Sequence, residues 1–236
     1  MSHLHADLAR VVYGINESVG ARGTWTPYPG GHPEEVEAAL LDSVFSLRAT
    51  YGSSATVGPR AVVNRWREHV GGRALNSLAD LVVDVDRAGG PGAFPGILRH
   101  DGVAVPNAKD QPTKAAAAYG TACTLVTAGL NSAEDVRLRN AEDSKELHRL
   151  ITRERGVGDA AATYFLMLLG VAGVKADVMI QRFVARVLEQ DFVEPSRSQD
   201  LLARAADELG ADLLTLDHAL WNYESQRSRT ARSRSR

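Results

Sequence analysis

The stretch from Arg155 to Arg182 reads RGVGDAAATYFLMLLGVAGVKADVMIQR, and its residue types are spaced for two kinds of chemistry. Gly156 and Gly158 flank one apolar residue, Val157, between two apolar helical patterns. Glycine adopts backbone angles that other residues resist and lets another backbone approach, so the pair predicts a tight corner plugged by the valine. The first amide N–H groups of a helix lack intrahelical acceptors, and a corner that points them outward suits a phosphate. The same residues also describe a plain helix–turn–helix connection. Asp177 follows the next loop, GVAGVK, and opens a further helical pattern. A fixed carboxylate there can stabilise developing positive charge or activate water. It can equally serve as a helix N-cap, and one residue can do both.

The elements that must position these residues are helices. From Glu34 to Tyr51 the residues Val36, Leu40, Leu41, Val44, Phe45 and Leu47 form one broad stripe, with Pro33 in a first-turn position. Pro59–Val70 predicts a second helix, and Asn76 or Ser77 caps a third that stops at Gly89-Gly90-Pro91. Residues 89–111 are the longest irregular segment, anchored by Phe94, Ile97 and Leu98. Thr113 begins an alanine-rich helix, and Ser132 with Asp135 predicts a capping box on a short one. Helices are also expected over 144–152, 159–169, 177–190, 196–209 and 212–225, with a terminal helix over 5–18. No sustained alternation marks a strand. The expected fold class is all-α, in two helical lobes. One lobe is a helical barrel over residues 34–176, and the other combines 1–33 with 177–225.

Composition narrows the function classes. The chain has 236 residues and one cysteine, Cys123, which excludes a disulfide framework and a four-thiolate zinc or iron–sulfur site within one chain. No signal-peptide pattern opens the sequence, and the longest apolar run, TYFLMLLGVAGV, is short and broken by glycines. A cytoplasmic protein without a membrane partner is the expectation. The net charge is −2, but the ending SQRSRTARSRSR holds five arginines and no acid. Without it, 22 basic residues face 29 acidic ones. Residues 226–236 therefore predict a basic disordered tail, either a solvated end or a phosphate-contacting arm.

Taken together, GVG at 156–158, the small-residue helix AATYF at 161–165, the loop GVAGVK at 170–175 and Asp177 resemble the helix–hairpin–helix DNA glycosylase superfamily. The AATYF run is similar to the alkyladenine-type branch. The resemblance spans about residues 34–190 and implies duplex DNA as partner. By position, it gives Gly156, Val157 and Gly158 the phosphate-binding role, commonly beside an alkali cation held by hairpin carbonyls. Asp177 takes the place of the catalytic carboxylate. Lys175, in the loop before it, reads either as a solvated lysine or as a phosphate contact. LLDSVFSLRAT (40–50) resembles the early barrel helix and the turn that inserts a wedge into the duplex; Arg48 falls at the wedge, and reads equally as a surface arginine at a helix end. The sequence departs from the family pattern at Glu154-Arg155, where the family carries a hydrophobic residue and proline. Asp159 also sets a negative charge directly after the corner.

An enzyme that excises a stacked base must extrude it first. Bifunctional family members place a lysine two positions after the second hairpin glycine; here that position is Ala160, which has no nucleophile. The resemblance thus implies a monofunctional DNA glycosylase in base excision repair, without cofactor and without an iron–sulfur cluster. Trp25 and Tyr28, in RGTWTPYPGGHP, and Tyr51 are the candidate base-pocket aromatics. The alternatives are a catalytically silent helix–hairpin–helix DNA-binding protein and a helical interaction protein with no DNA role. The damaged base itself is not specified by these residues.

Overall fold

The computed structural model describes residues 3–25, 31–49, 58–104, 112–171 and 178–234. Eleven α-helices account for most of them: α1 (His3–Val19), α2 (Val36–Phe45), α3 (Pro59–His69), α4 (Leu78–Arg87), α5 (Phe94–Leu98), α6 (Lys114–Thr127), α7 (Ala133–Ile151), α8 (Asp159–Leu168), α9 (Val178–Val187), α10 (Pro195–Leu209) and α11 (Leu213–Arg234). A single 3-10 turn among the described residues lies at Arg22–Thr24. The described residues contain no strand, only one isolated bridge between Val103 and Thr113. The fold is all-α. Among the described residues no helix is long and apolar enough to cross a membrane.

The chain divides into two compact units, Gly30–Val171 and the pair of segments Met1–Pro29 with Ala172–Arg236. In the first, α2 is the central element. All ten of its residues are buried, because VEAALLDSVF is apolar nearly all round. It packs against α3, α4, α6 and α8. An acid on such a helix must be buried too, and Glu37 and Asp42 are. Local caps set where several helices start. Ser77 Oγ accepts from the Asp80 amide at 3.1 Å, and Thr113 Oγ1 from the Ala116 amide at 3.0 Å. Ser132 and Asp135 form a complete capping box at the head of α7.

Several boundaries differ from the sequence expectation. α2 begins at Val36, because residues 31–35 turn against α8 instead. The His32 amide donates to the Leu168 carbonyl at 2.7 Å, and the Glu35 amide to His32 O at 3.1 Å. The two helices expected after Ser132 are one, kinked at Asp143, whose φ and ψ are −149° and 83°. Asp143 Oδ1 accepts from the Glu146 amide at 2.9 Å and so caps the second half from within. Part of the segment 89–111 is helical: Phe94 and Leu98 are buried on α5.

The approach of residues 31–32 to α8 leaves no room for a side chain. A Cβ on Gly31 would lie 2.3 Å from the Leu168 carbonyl oxygen, a backbone atom held in the α8 turn. Gly31→Ala is therefore expected to destabilise this unit by about 1–3 kcal/mol, measured as a lowered urea midpoint.

The second unit packs α1, α9, α10 and α11 around Val11, Ile15, Phe183, Val184, Leu201 and Leu216. Helices α1 and α9 touch at Gly14, where a Cβ would come within 2.6 Å of Val187 Cγ2. Arg186 on α9 holds α11 through Glu224 Oε1 at 2.5 Å. The Arg-rich end, expected as a disordered tail from residue 226, is helical to Arg234. Arginine and alanine are good helix formers, and here they extend a helix that is already nucleated and packed, so no new nucleus is required.

Candidate functional site

The corner between α7 and α8 is built as its residues require. Leu147 and Ile151 bury the end of α7, and Thr152 closes it with Oγ1 on the His148 carbonyl at 2.8 Å. The Val157 amide returns to Glu154 O at 3.1 Å. Gly156 sits at φ 99°, in the region that favours glycine. Val157 is 4% exposed and fills the space under the turn. Gly158 is the N-cap of α8, with φ −101° and ψ −176°, and makes no side-chain cap bond. Nothing lies within 4 Å of where its Cβ would be, so the outer side of the corner is open. Its carbonyl accepts from Ala161 and Ala162 at 2.9 and 3.0 Å. The amides of Asp159 and Ala160 precede the first helical bond and have no intrahelical acceptor. A phosphate or carboxylate oxygen at this helix start would meet those donors and the positive end of the helix dipole.

Two carboxylates border the corner. Glu154 packs over α6 so closely that a Cβ on Gly120 would lie 2.5 Å from its Cδ. Asp159 is exposed, with Oδ1 3.8 Å from His148 Nδ1. A protonated His148 would offset the negative charge that Asp159 brings to the helix start.

Arg48 lies at the end of α2, in the left-handed conformation at φ 51°. Its Nη2 donates to the Val103 carbonyl at 3.3 Å and to the Ala104 carbonyl. The guanidinium thus ties the α2 turn to the loop before α6, and entry into a duplex would require it to leave both carbonyls. Trp25 is 7% exposed in the core of the other unit, and its Nε1–H donates to Gly20 O at 2.9 Å. Packing already accounts for this indole. Asp177, Lys175, Tyr28 and Tyr51 lie outside the described residues. Of the residues assigned from sequence, the structure brings together Gly156, Val157 and Gly158, and places Arg48 in the same unit.

Two buried groups in this unit are not among the residues assigned from sequence. Asp42 Oδ2 is 3.3 Å from His32 Nε2, while Asp42 Oδ1 is buried without a partner. The sequence signal is present: an acid within an otherwise apolar helix. Lys114 is also buried, and its Nζ donates to Phe45 O at 3.2 Å and to Leu47 O at 2.5 Å, capping the C-terminus of α2. Burial and the nearby Arg48 charge push the Lys114 ammonium down to about 8. His100, whose ring meets Phe45 edge-on at 4.8 Å, is also lowered, by burial and then by Lys114.

A Lys114 ammonium that is more acidic in the folded chain than in the unfolded one means that the unfolded chain binds more protons between about pH 8 and 10.5. Stability should therefore rise with pH across that window, by about 1–3 kcal/mol. The rise is read as the difference between wild-type and Lys114→Met urea midpoints, which removes the titration of other groups.

In comparison with known proteins, residues 9–225 match the family model described as a domain of unknown function (DUF8548). No curated protein and no solved structure matches the chain.

Proposed function

We propose that this chain, which belongs to the DUF8548 family, is a monofunctional DNA glycosylase that extrudes a damaged or mismatched base and hydrolyses its N-glycosidic bond. The observation that carries the reading is the corner at 156–158: a left-handed glycine, a buried valine and an open second glycine at a helix start. A corner of that form suits one DNA phosphate, held by backbone amides without a base contact. The resemblance in sequence supplies the rest. Asp177 stands beside the sugar as its glycosidic bond breaks, and the departing base leaves positive charge on the ring. The carboxylate stabilises that charge and orients a water whose oxygen bonds to the sugar carbon, while its proton passes to the base. Ala160 offers no amine to attack the sugar, so the product is an abasic site with the strand intact.

The test is base release from a panel of duplexes carrying alkylated purines, oxidised guanine, or mismatched and deaminated pyrimidines, read by alkali cleavage at abasic sites. Release by the wild type that is lost in Asp177→Asn supports the enzyme. Duplex binding with no release by either form would instead make the chain a catalytically silent helix–hairpin–helix DNA-binding protein. No salt-dependent DNA affinity at all would remove both readings.

A further inference from the structure

The end of α2 gathers two positive charges that no acid answers. Lys114 is buried, and its Nζ donates to the carbonyls of Phe45 and Leu47. Arg48 follows directly, exposed, with a left-handed backbone at φ 51° that a side chain resists. Its Nη2 donates to the carbonyls of Val103 and Ala104. Those two carbonyls sit on a fixed shelf. The Ala104 amide donates to Pro112 O and the Lys114 amide to Gly102 O, both at 2.8 Å. The turn is therefore held on both sides, by the Lys114 ammonium and by the shelf.

The two cations repel each other: burial and then the Arg48 charge lower the Lys114 ammonium. Among the described residues neither bonds a carboxylate, and every partner is a backbone carbonyl. The acid in the neighbouring loop, Asp101, is exposed and acts on His100. A guanidinium carries five N–H donors. With Nη2 on the shelf, the Nε–H and the Nη1 N–H bonds have no partner among the described residues. A phosphate oxygen at Nη1 would gain a charge-assisted bond and offset the repulsion, with the turn left as it is. Insertion into a base stack would instead take the donor from both carbonyls and desolvate the guanidinium.

We propose that Arg48 is a phosphate contact for duplex DNA, made from its place on the Val103 and Ala104 carbonyls, and not a wedge that enters the duplex. It is a second contact in the unit that holds the corner at 156–158. The proposal rests on duplex DNA being the partner in the proposed function, and not on catalysis.

The experiment compares the full chain with Arg48→Gln and Arg48→Lys. Binding to an undamaged DNA duplex is measured by fluorescence anisotropy from about 50 to 200 mM salt, the range over which phosphate contacts are screened. Loss of one phosphate contact should make the slope of log K against log salt shallower by about 0.9 in Arg48→Gln. The affinity ratio of wild type to that variant then falls about threefold across the range. Arg48→Lys keeps the charge and should hold the slope within about 0.3 of wild type. Urea midpoints show whether each variant folds. If Arg48→Gln does not, the wild type decides: an undamaged duplex should slow phenylglyoxal modification of Arg48, mapped by mass, and added salt should restore it. Equal slopes for wild type and Arg48→Gln, or an equal loss of slope in Arg48→Lys, would overturn the contact. So would Arg48 modification that the duplex leaves unchanged. A slope change confined to lesion-bearing duplexes would be the behaviour of a wedge, and would overturn it too. Base release from the lesion panel separates this proposal from the function. Release with equal slopes keeps the enzyme and sinks the contact; a shallower slope with no release keeps the contact and sinks the enzyme. A wild type that does not bind DNA sinks both.

Discussion

Glu37→Ala is expected to lower the unfolding free energy by about 3–5 kcal/mol, read by urea denaturation. The carboxylate is fully buried on the central helix. Its Oε2 accepts from Trp66 Nε1 at 2.7 Å and Arg73 Nη2 at 3.1 Å; its Oε1 accepts from Arg73 Nη1 at 2.6 Å and the Ser77 amide at 3.4 Å. Burial pushes this carboxyl up, and the Arg73 and Trp66 bonds pull it back. Alanine would strand the donors: a buried indole N–H and a guanidinium left to Asp84 and the Ala74 carbonyl. Breaking one side of a buried pair costs more than the pair contributes, because the remaining group stays desolvated. The contrast lies two residues away. Glu35 also holds an arginine through two bonds, to Arg67 at 2.7 and 2.9 Å, but both side chains are about one-third exposed at 31% and 38%. Glu35→Ala should cost under about 1 kcal/mol. If the two substitutions cost the same, burial is not what gives Glu37 its weight.

That pair of acids also shows what the sequence can and cannot convey. The helix starts at Ser77, Thr113 and Ser132 are legible because a cap and the amide that donates to it lie three residues apart. The corner is legible for the same reason: Gly156 needs only its own backbone angle, and Val157 only its place between two apolar helices. Glu37 meets Trp66 from 29 positions away, and Lys114 reaches back to Phe45 across 69. Those partners exist only once α2 is packed, so no local pattern announces them. The α2 start departs from its sequence pattern for a related reason. Pro33 and the acids after it look like a first turn, but the His32 amide is drawn to the end of α8. The kink at Asp143 lies between the two kinds. An aspartate three residues before Glu146 is a local capping signal, but only packing decides whether the helix stops there or bends. Of the candidate site, the corner can be read because it is local. Arg48 is read by its place in a motif, which carries no information about the carbonyls it meets at 103 and 104.

Asp177→Asn is expected to cut base release by at least about a thousandfold, equal to about 4 kcal/mol in the barrier, while duplex affinity changes by no more than about threefold. Under the glycosylase reading the carboxylate acts through its charge. A unit negative charge about 4 Å from a developing sugar cation contributes about 4 kcal/mol at an effective dielectric constant of about 20. Asparagine keeps the size, the shape and one oxygen, so a helix cap at 177 survives almost unchanged. The substitution thereby separates the two roles that residue 177 can hold. If it only caps α9, release and stability both stay within a few-fold of wild type. If it supports the sugar cation, release collapses while the urea midpoint and the salt-dependent grip on DNA remain. The corner at 156–160 provides the control, because its free amides, at Asp159 and Ala160, are backbone and lie at least 17 residues before position 177. A drop in affinity as large as the drop in rate would mean that Asp177 organises binding, and the catalytic role would then have no support.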